Sequence, residues 1–416
     1  MTESESIKAR QLTRLRELLA ALVPANRFQA PRIEAAGLAA GVATLEEFSA
    51  KMPFTTKADL VADQTTHPPY GTNLTSPPER YTRFCQTSGT TARPLAILDT
   101  PESWTWMLDN WAQIYRAAEI GAGSRIYFAF SFGPFLGFWT AFEAATRLGC
   151  LCFPGGGLST SARLNAVLEY QAEVLCCTPT YALHLGETAA REGVDLSRSA
   201  VRKIVVAGEP GGSLASLRER LSALWNGAEI IDHYGMTEIG PTAYQYTGDP
   251  GVLRIIDDSY YAEIVDPERG RPVPYGEIGE LVLTTLGRTA CPLLRYRTGD
   301  LVRRSPVAGG CVLAGGIIGR VDDMVVVRGV NLYPSAVDAV VRTIPEISEY
   351  RVEVRSSGAL VEAAVDVECR DDSATTALTR ALASAFSLRI PVRRVAEGTL
   401  PRFDMKAKRW KLVRSD

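Results

Sequence analysis

The chain has 416 residues, 46% hydrophobic and 22% charged, with 45 basic against 47 acidic side chains and a formal net charge of −2. That balance can fill a large core and makes more than one domain the expectation. It gives no electrostatic reason to bind nucleic acid or an anionic membrane, so neither is expected as a partner.

The first stretch, "MTESESIKARQLTRLRELLAALVP", is charged and repeats Leu12, Leu15, Leu18, Leu19 and Leu22 at helical spacing. It predicts an amphipathic helix, not a signal peptide. No run approaches the roughly 18 apolar residues of a membrane span, and the expected compartment is the cytoplasm. A second helical pattern, over about 45–62, is interrupted by Met52-Pro-Phe-Thr-Thr-Lys57. A polar, proline-bearing stretch then leads into the strand-like "RYTRFCQTS".

Apolar strands and helical patterns alternate from there: "RIYFAFSF", "FLGFWTAFEAATRLG", "CLCFPGG", "ARLNAVLEYQ", "EVLCCTPT", "YALHLGETAAREG", "VRKIVVAGEP", "LASLRERLSALW" and "AEIIDHYG". Such alternation predicts an α/β fold with a parallel, helix-covered sheet. After Thr242 the strands shorten ("RIIDDSYYAEIVD", "GELVLTTL", "LLRYRTGDLVRR") and Gly, Pro and Asp turns multiply, predicting a β-rich subdomain. Beyond a glycine-rich crossing, strands and helices pair again in a small α+β domain. The expected division is a large N-terminal domain, residues 1–319, and a small C-terminal domain, residues 320–416.

The eight cysteines form no C-x-x-C pair and several lie in apolar runs; with only His67, His184 and His233 available, zinc-ligand spacing is poor. Buried, reduced thiols are expected.

Four stretches carry chemistry. In Thr87-Ser-Gly-Thr-Thr-Ala-Arg-Pro94, the hydroxyls of Thr87, Ser88, Thr90 and Thr91 combine with backbone N–H groups, Gly89 permits close approach, and Arg93 adds charge. This suits a polyphosphate, yet the lysine of a Walker-type loop is missing. Asp232-His-Tyr-Gly-Met-Thr-Glu238 offers an aromatic plane, a hydroxyl and a carboxylate on what reads as one tight turn. Arg295-Tyr-Arg-Thr-Gly-Asp300 puts a turn-borne carboxylate after a strand, suited to a ribose diol, and Gly319-Arg-Val-Asp-Asp-Met324 opens the last domain before "VVVRGVNLYPS".

In this order, the four stretches resemble those of the adenylate-forming superfamily of acyl-CoA synthetases, adenylation domains and luciferases. Within it the chain is most similar to the phenylacetate-CoA ligase-like family, whose "LPFTTK"-like segment is matched by residues 52–57. The resemblance covers essentially the whole chain. It implies an acid–thiol ligase that makes an acyl-adenylate from ATP and a carboxylate, then rotates its small, mobile domain so that a thiol attacks. It also answers the missing lysine: the family's lysine lies near the C-terminus, and Pro401-Arg-Phe-Asp-Met-Lys-Ala-Lys-Arg409 makes Lys406 the match, with Lys408 competing.

The same resemblance implies the remaining roles. Thr237 would hydrogen-bond the α-phosphate and Glu238 would hold Mg²⁺. Tyr234 would stack on adenine, with Gly208, Glu209 and Pro210 as the other wall; Asp232, His233, Gly235 and Met236 complete the nucleotide-binding stretch. Asp300 would take the ribose hydroxyls and Arg320 the ribose or phosphate. Asp322 matches the hinge, and Gly329 would leave room for a pantetheine arm. His233 reads as structural, since no general base is required there. Ala92 and Met405 depart from the family pattern, each replacing a glycine. At a position needing φ > 0, Ala92 adds strain of about 1 kcal/mol.

Phe130, Phe132, Phe135, Phe138 and Trp139 crowd "FAFSFGPFLGFW". They read either as plain core or, by resemblance, as the acyl pocket with His184. The resemblance favours an aromatic or compact apolar acid, with anthranilate-like and hydroxybenzoate-like acids as open as phenylacetate. The thiol acceptor is coenzyme A or, alternatively, the phosphopantetheine of an acyl carrier protein. A catalytically silent nucleotide-binding protein is the reading from another class. Oligomeric state stays open, a homodimer included.

Overall fold

The computed structural model describes residues 2–87, 94–306, 309–328, 330–357, 360–403 and 407–414. The chain divides into two units, the first made of residues 1–156 and 231–316, the second of 157–230 and 317–416.

The first unit opens with α1 (Glu3–Leu22), started by a capping box in which Thr2 and Glu5 satisfy each other's backbone N–H. Its apolar face buries Leu15, Leu18, Leu19 and Leu22. They pack against Ile33 of α2 (Ala30–Ala35), Leu45 and Phe48 of α3 (Leu45–Lys51), and Leu286 and Leu294. Each such leucine contributes about 1.5–3 kcal/mol by leaving water. The chain breaks at Met52–Thr56, where Pro53 biases Met52 away from helix. It then restarts as α4 (Lys57–Thr66) with a second capping box from Thr56 and Asp59.

Next, β1 (Arg83–Gln86) and β2 (Ala96–Asp99) pair antiparallel as the two arms of a hairpin. Thr100 caps α5 (Pro101–Ala117) immediately after β2. β3 (Arg125–Phe128) and β4 (Leu151–Pro154) run parallel, joined by the crossover helix α6 (Leu136–Arg147).

The second unit begins with α7 (Thr160–Glu169), β5 (Val174–Cys177), α8 (Pro179–Glu192), β6 (Lys203–Val206) and α9 (Ala215–Leu224). β5 and β6 are parallel, and all four β5 residues are buried. A strand covered on both faces has no reason to alternate polar and apolar residues.

The first unit resumes within β7 (Glu229–Met236), which forms an antiparallel run with β8 (Gly240–Tyr244), β9 (Val252–Ile255) and, later, β13 (Val312–Ala314). A separate antiparallel sheet contains β10 (Tyr260–Val265), β11 (Ile278–Thr285) and β12 (Tyr296–Arg303). The predicted single strand "RIIDDSYYAEIVD" is thus two strands. Asp257 and Asp258 fall in the connection, where Ser259 N donates to Ile256 O.

The second unit ends with β14 (Gly319–Arg320), β15 (Val325–Val327), β16 (Val330–Leu332), α10 (Pro334–Val341), β17 (Ile347–Ser357), β18 (Leu360–Cys369), α11 (Asp372–Phe386), β19 (Val392–Val395) and β20 (Trp410–Arg414). Their sheet is ordered β19-β18-β17-β20, with the outer strands parallel to their neighbours. A distinct apolar core, including Val337, Val341, Leu378 and Leu382, lies under it. Within this unit Arg220 of α9 donates to the Ile347 carbonyl at 3.1 Å. Among the described residues, no helix is long and apolar enough to cross a membrane.

Candidate active site

In the first unit the phosphate-type loop is known at its neck. Thr87 N donates to Leu95 O at 3.1 Å, and Leu95 N donates to the Thr87 hydroxyl at 3.0 Å. Thr87 is therefore buried and closes the hairpin. Ser88, Gly89, Thr90, Thr91, Ala92 and Arg93 lie outside the described residues.

Residues 232–238 differ from the expected tight turn. Asp232, His233, Tyr234, Gly235 and Met236 extend along β7, and the reversal starts only at Thr237. Alternation along a strand explains why neighbouring members do different jobs. His233 is buried against Trp111, ring centroids 4.3 Å apart. Its Nδ1 lies 2.9 Å from Ala243 O. Burial pushes the imidazole down to about 4. It is neutral at pH 7, and since a carbonyl only accepts, Nδ1 carries the proton. At Gly235, a Cβ would come within 2.8 Å of Gly240 O, so the bulged β7–β8 pairing requires glycine there. Tyr234 donates its hydroxyl to Asp300 Oδ2 at 2.6 Å, joining two residues read separately from sequence.

Asp300 is also placed differently from the expected turn: it lies within β12. The ladder explains the discrepancy. Glu280 faces Leu301 and Val282 faces Arg297, so Thr298, Gly299 and Asp300 bulge opposite Leu281. Gly299 adopts φ +76°, and Thr298 Oγ1 accepts from Asp300 N at 3.0 Å. A bulge re-aims a side chain out of the strand's alternation.

The Thr237–Glu238 turn is pinned from beneath. Arg288, fully buried, donates to Glu238 O at 2.7 Å and Thr237 O at 3.3 Å. Its other face grips Asp99 at the end of β2, with Nε 2.8 Å from Oδ1 and Nη2 on Oδ2. Burial raises the Asp99 carboxyl and works to lower Arg288; attraction at bidentate distance overrides the latter and keeps Arg288 charged.

The Glu238 carboxylate is buried, and its Oε1 lies 3.3 Å from Lys57 Nζ and 3.4 Å from the Tyr296 hydroxyl. Lys57 belongs to the "PFTTK" segment, where the sequence gives it no role, and Arg288 belongs to none of the four stretches that carry chemistry. Among the described residues no group of three or more His, Cys, Asp or Glu could hold a metal. The Glu238 carboxylate thus already faces one cation, the Lys57 ammonium.

The aromatic stretch forms one ring cluster. Phe130 stacks on Phe138 at 4.1 Å, Phe132 meets Phe130 at 5.3 Å and Trp139 at 4.9 Å, and Phe135 meets Phe138 at 5.9 Å. Phe130 is buried, while Phe132, Phe135 and Phe138 are half-buried.

In the second unit, Gly208 leaves β6 at φ +93°, and Pro210 is exposed. Glu209 accepts from Thr180 N in the first turn of α8 at 2.7 Å and, with its other oxygen, from Ala407 N at 3.1 Å. Arg409 nearby is buried and bidentate on Glu349, at 2.6 and 3.1 Å. Burial alone would lower it; the bonds to Glu349 raise it instead. Lys408 is exposed. Arg320 pairs with Asp322 through Nε–Oδ1 at 2.8 Å. His184, half-buried on α8, lies 5.9 Å from the Tyr181 ring. Lys406, Met405 and Gly329 lie outside the described residues.

All eight cysteines are free thiols, six of them buried. Burial pushes Cys85, Cys150 and Cys291 up to about 11 and Cys311 up to about 12.

Comparison with known proteins bears on the family. Residues 28–288 match the AMP-binding enzyme family and residues 329–411 the AMP-binding enzyme C-terminal domain. Phenylacetate-coenzyme A ligase of Thermus thermophilus is 33% identical over 372 residues, 88% of this chain and 82% of that protein. Among solved structures, 2-hydroxyisobutyryl-CoA ligase in its postadenylation state, bound to 2-HIB-AMP, aligns with TM-score 0.93 at 28% identity, covering 99% of this chain and 90% of that one. The same ligase in its thioesterification state, with 2-HIB-AMP and CoA, aligns at 0.74, with 28% identity and the same coverages.

Proposed function

This chain belongs to the AMP-binding, adenylate-forming enzyme family as an AMP-forming acid–coenzyme A ligase, and we propose that the acid it activates is aromatic or compact and apolar. The observation that carries the acid's class is the ring cluster of Phe130, Phe132, Phe135 and Phe138, apolar yet half-open at three of four members. Relatives named for phenylacetate and for 2-hydroxyisobutyrate support the same range, one aromatic and one compact.

In the first step a carboxylate oxygen attacks the α-phosphorus, the bond to the bridging oxygen breaks, and pyrophosphate leaves. Charge gathers on phosphoryl oxygens, so placed cations and N–H donors do most of the work. Lys406 supplies one positive charge, and Thr237 donates to the α-phosphate. Glu238 is the residue to hold Mg²⁺, which when bound neutralises polyphosphate charge. Tyr234 offers its ring to adenine, and Asp300 exchanges the Tyr234 hydroxyl for the ribose diol. In the second step the coenzyme A thiol attacks the acyl carbon and AMP leaves.

We place the division between large and small domains at residues 319 and 320, with the hinge at Asp322. The Arg320–Asp322 pair is exposed and worth at most about 1 kcal/mol, so that pair itself offers rotation little resistance. The differing similarity to two states of one relative supports a small domain that moves.

The test is acid-dependent pyrophosphate exchange over a panel of aromatic, compact branched and long-chain acids, with products weighed after adding coenzyme A or a holo carrier protein. Turnover confined to long-chain acids, or transfer to the carrier alone, defeats the proposal. Lys406→Ala is expected to lower exchange about 10²–10³-fold while thioester formation from supplied acyl-adenylate persists. The same pattern from Lys408→Ala instead would reassign the lysine.

A further inference from the structure

The sequence leaves Arg288 and Asp99 without a function, and they stand 189 residues apart in the chain. Asp99 ends β2, the return arm of the β1–β2 hairpin. Arg288 grips that carboxylate with one edge and the carbonyls of Thr237 and Glu238 with the other. Both side chains are essentially shielded from water, at 0% and 1% exposure.

We propose that the Asp99–Arg288 pair is a positioning pair for the nucleotide chemistry, holding the Thr237–Glu238 turn in register with the hairpin of the phosphate-type loop. The inference rests on the reading that this turn serves the phosphates. A planar guanidinium fixes both distance and angle between its partners, which a point-charged ammonium does not. Two carbonyls anchored to one rigid group leave the turn little freedom to tilt. A tilt there would move the Thr237 hydroxyl and the Glu238 carboxylate together, without disturbing the Tyr234–Asp300 contact on β7 and β12.

That separation supplies the experiment. Arg288→Lys and Asp99→Asn in the full-length chain are titrated calorimetrically with ATP plus Mg²⁺ and, separately, with adenosine, which has no phosphates. The expected result is at least about tenfold weaker binding of Mg·ATP with adenosine affinity within about threefold. Pyrophosphate exchange at saturating acid should fall at least about 30-fold, with KM for the acid unchanged. Equal weakening of ATP and adenosine overturns the proposal. So does a lower melting temperature with both affinities intact, or failure of both variants to fold. Glu238→Gln is the separate control: unchanged Mg²⁺ dependence of its ATP binding would defeat the reading of the turn itself.

Discussion

Two polar junctions in this molecule hold segments of the chain, and they are built to different strengths. At Arg288, a buried ion pair and two carbonyl contacts fix the Thr237–Glu238 turn inside the first unit. At Glu209, inside the second unit, one half-buried carboxylate holds Ala407 by a single 3.1 Å bond while its other oxygen caps α8. A charge removed from water must keep its partner, since leaving the other ion alone is costly. A bond near solvent exchanges with water at little net cost. The difference teaches that the Thr237–Glu238 turn is a fixture, whereas the Glu209 hold on Ala407 is one that can be released; two residues on, Arg409 fastens the tail to Glu349 by a buried bidentate pair.

The largest effect should come from breaking the fixture. Asp99→Ala leaves the Arg288 guanidinium buried and unpaired, and denaturant unfolding is expected to show a loss of about 3–5 kcal/mol. A loss below about 1 kcal/mol would mean that the pair is relaxed by water and the contrast is false.

The next effect probes β7, the strand that leads into that turn, through pH. His233 ionises at about 4 in the fold, against an ordinary value of 6.5. Between those values the unfolded chain binds the extra proton and the fold does not, so stability rises with pH. The contribution is full above about 6.5 and is lost as pH falls through 4, roughly 3 kcal/mol in all. His233→Asn, whose amide can still donate to Ala243 O, should flatten that limb of the stability–pH curve. An unchanged limb would show that His233 is hydrated.

The smallest effect belongs to the tail. Glu209→Ala removes one hydrogen bond to Ala407, worth about 0.5–1.5 kcal/mol, and should speed amide exchange in the peptide from Ala407 about 2- to 10-fold. Global unfolding should shift far less than in Asp99→Ala. If the two variants cost equal stability, the Ala407 contact is a fixture too.

What could be read in advance follows from where the information sits. Tyr234, Thr237, Glu238 and Asp300 lie in contiguous motifs, so their types and spacing are visible in one dimension. Their exact setting was not: β7 runs on to Met236, and Asp300 rides a bulge that depends on the register of β11. Alternation of apolar runs and helical periods revealed the layered α/β architecture, because burial imposes those periods locally. Arg288 escaped notice for the opposite reason. A buried arginine is intelligible only beside its partner, and Asp99 is remote in sequence. Lys57 sits within "PFTTK", but its approach to Glu238 arises only when α4 folds against the turn.

The cysteines have a practical consequence. Burial covers six of the eight and raises the pKa of most, so few thiolates form at neutral pH. A single surface cysteine introduced on α11 would therefore react with a maleimide dye ahead of the native thiols. The small domain's rotation becomes open to fluorescence without stripping the chain of its own sulfur.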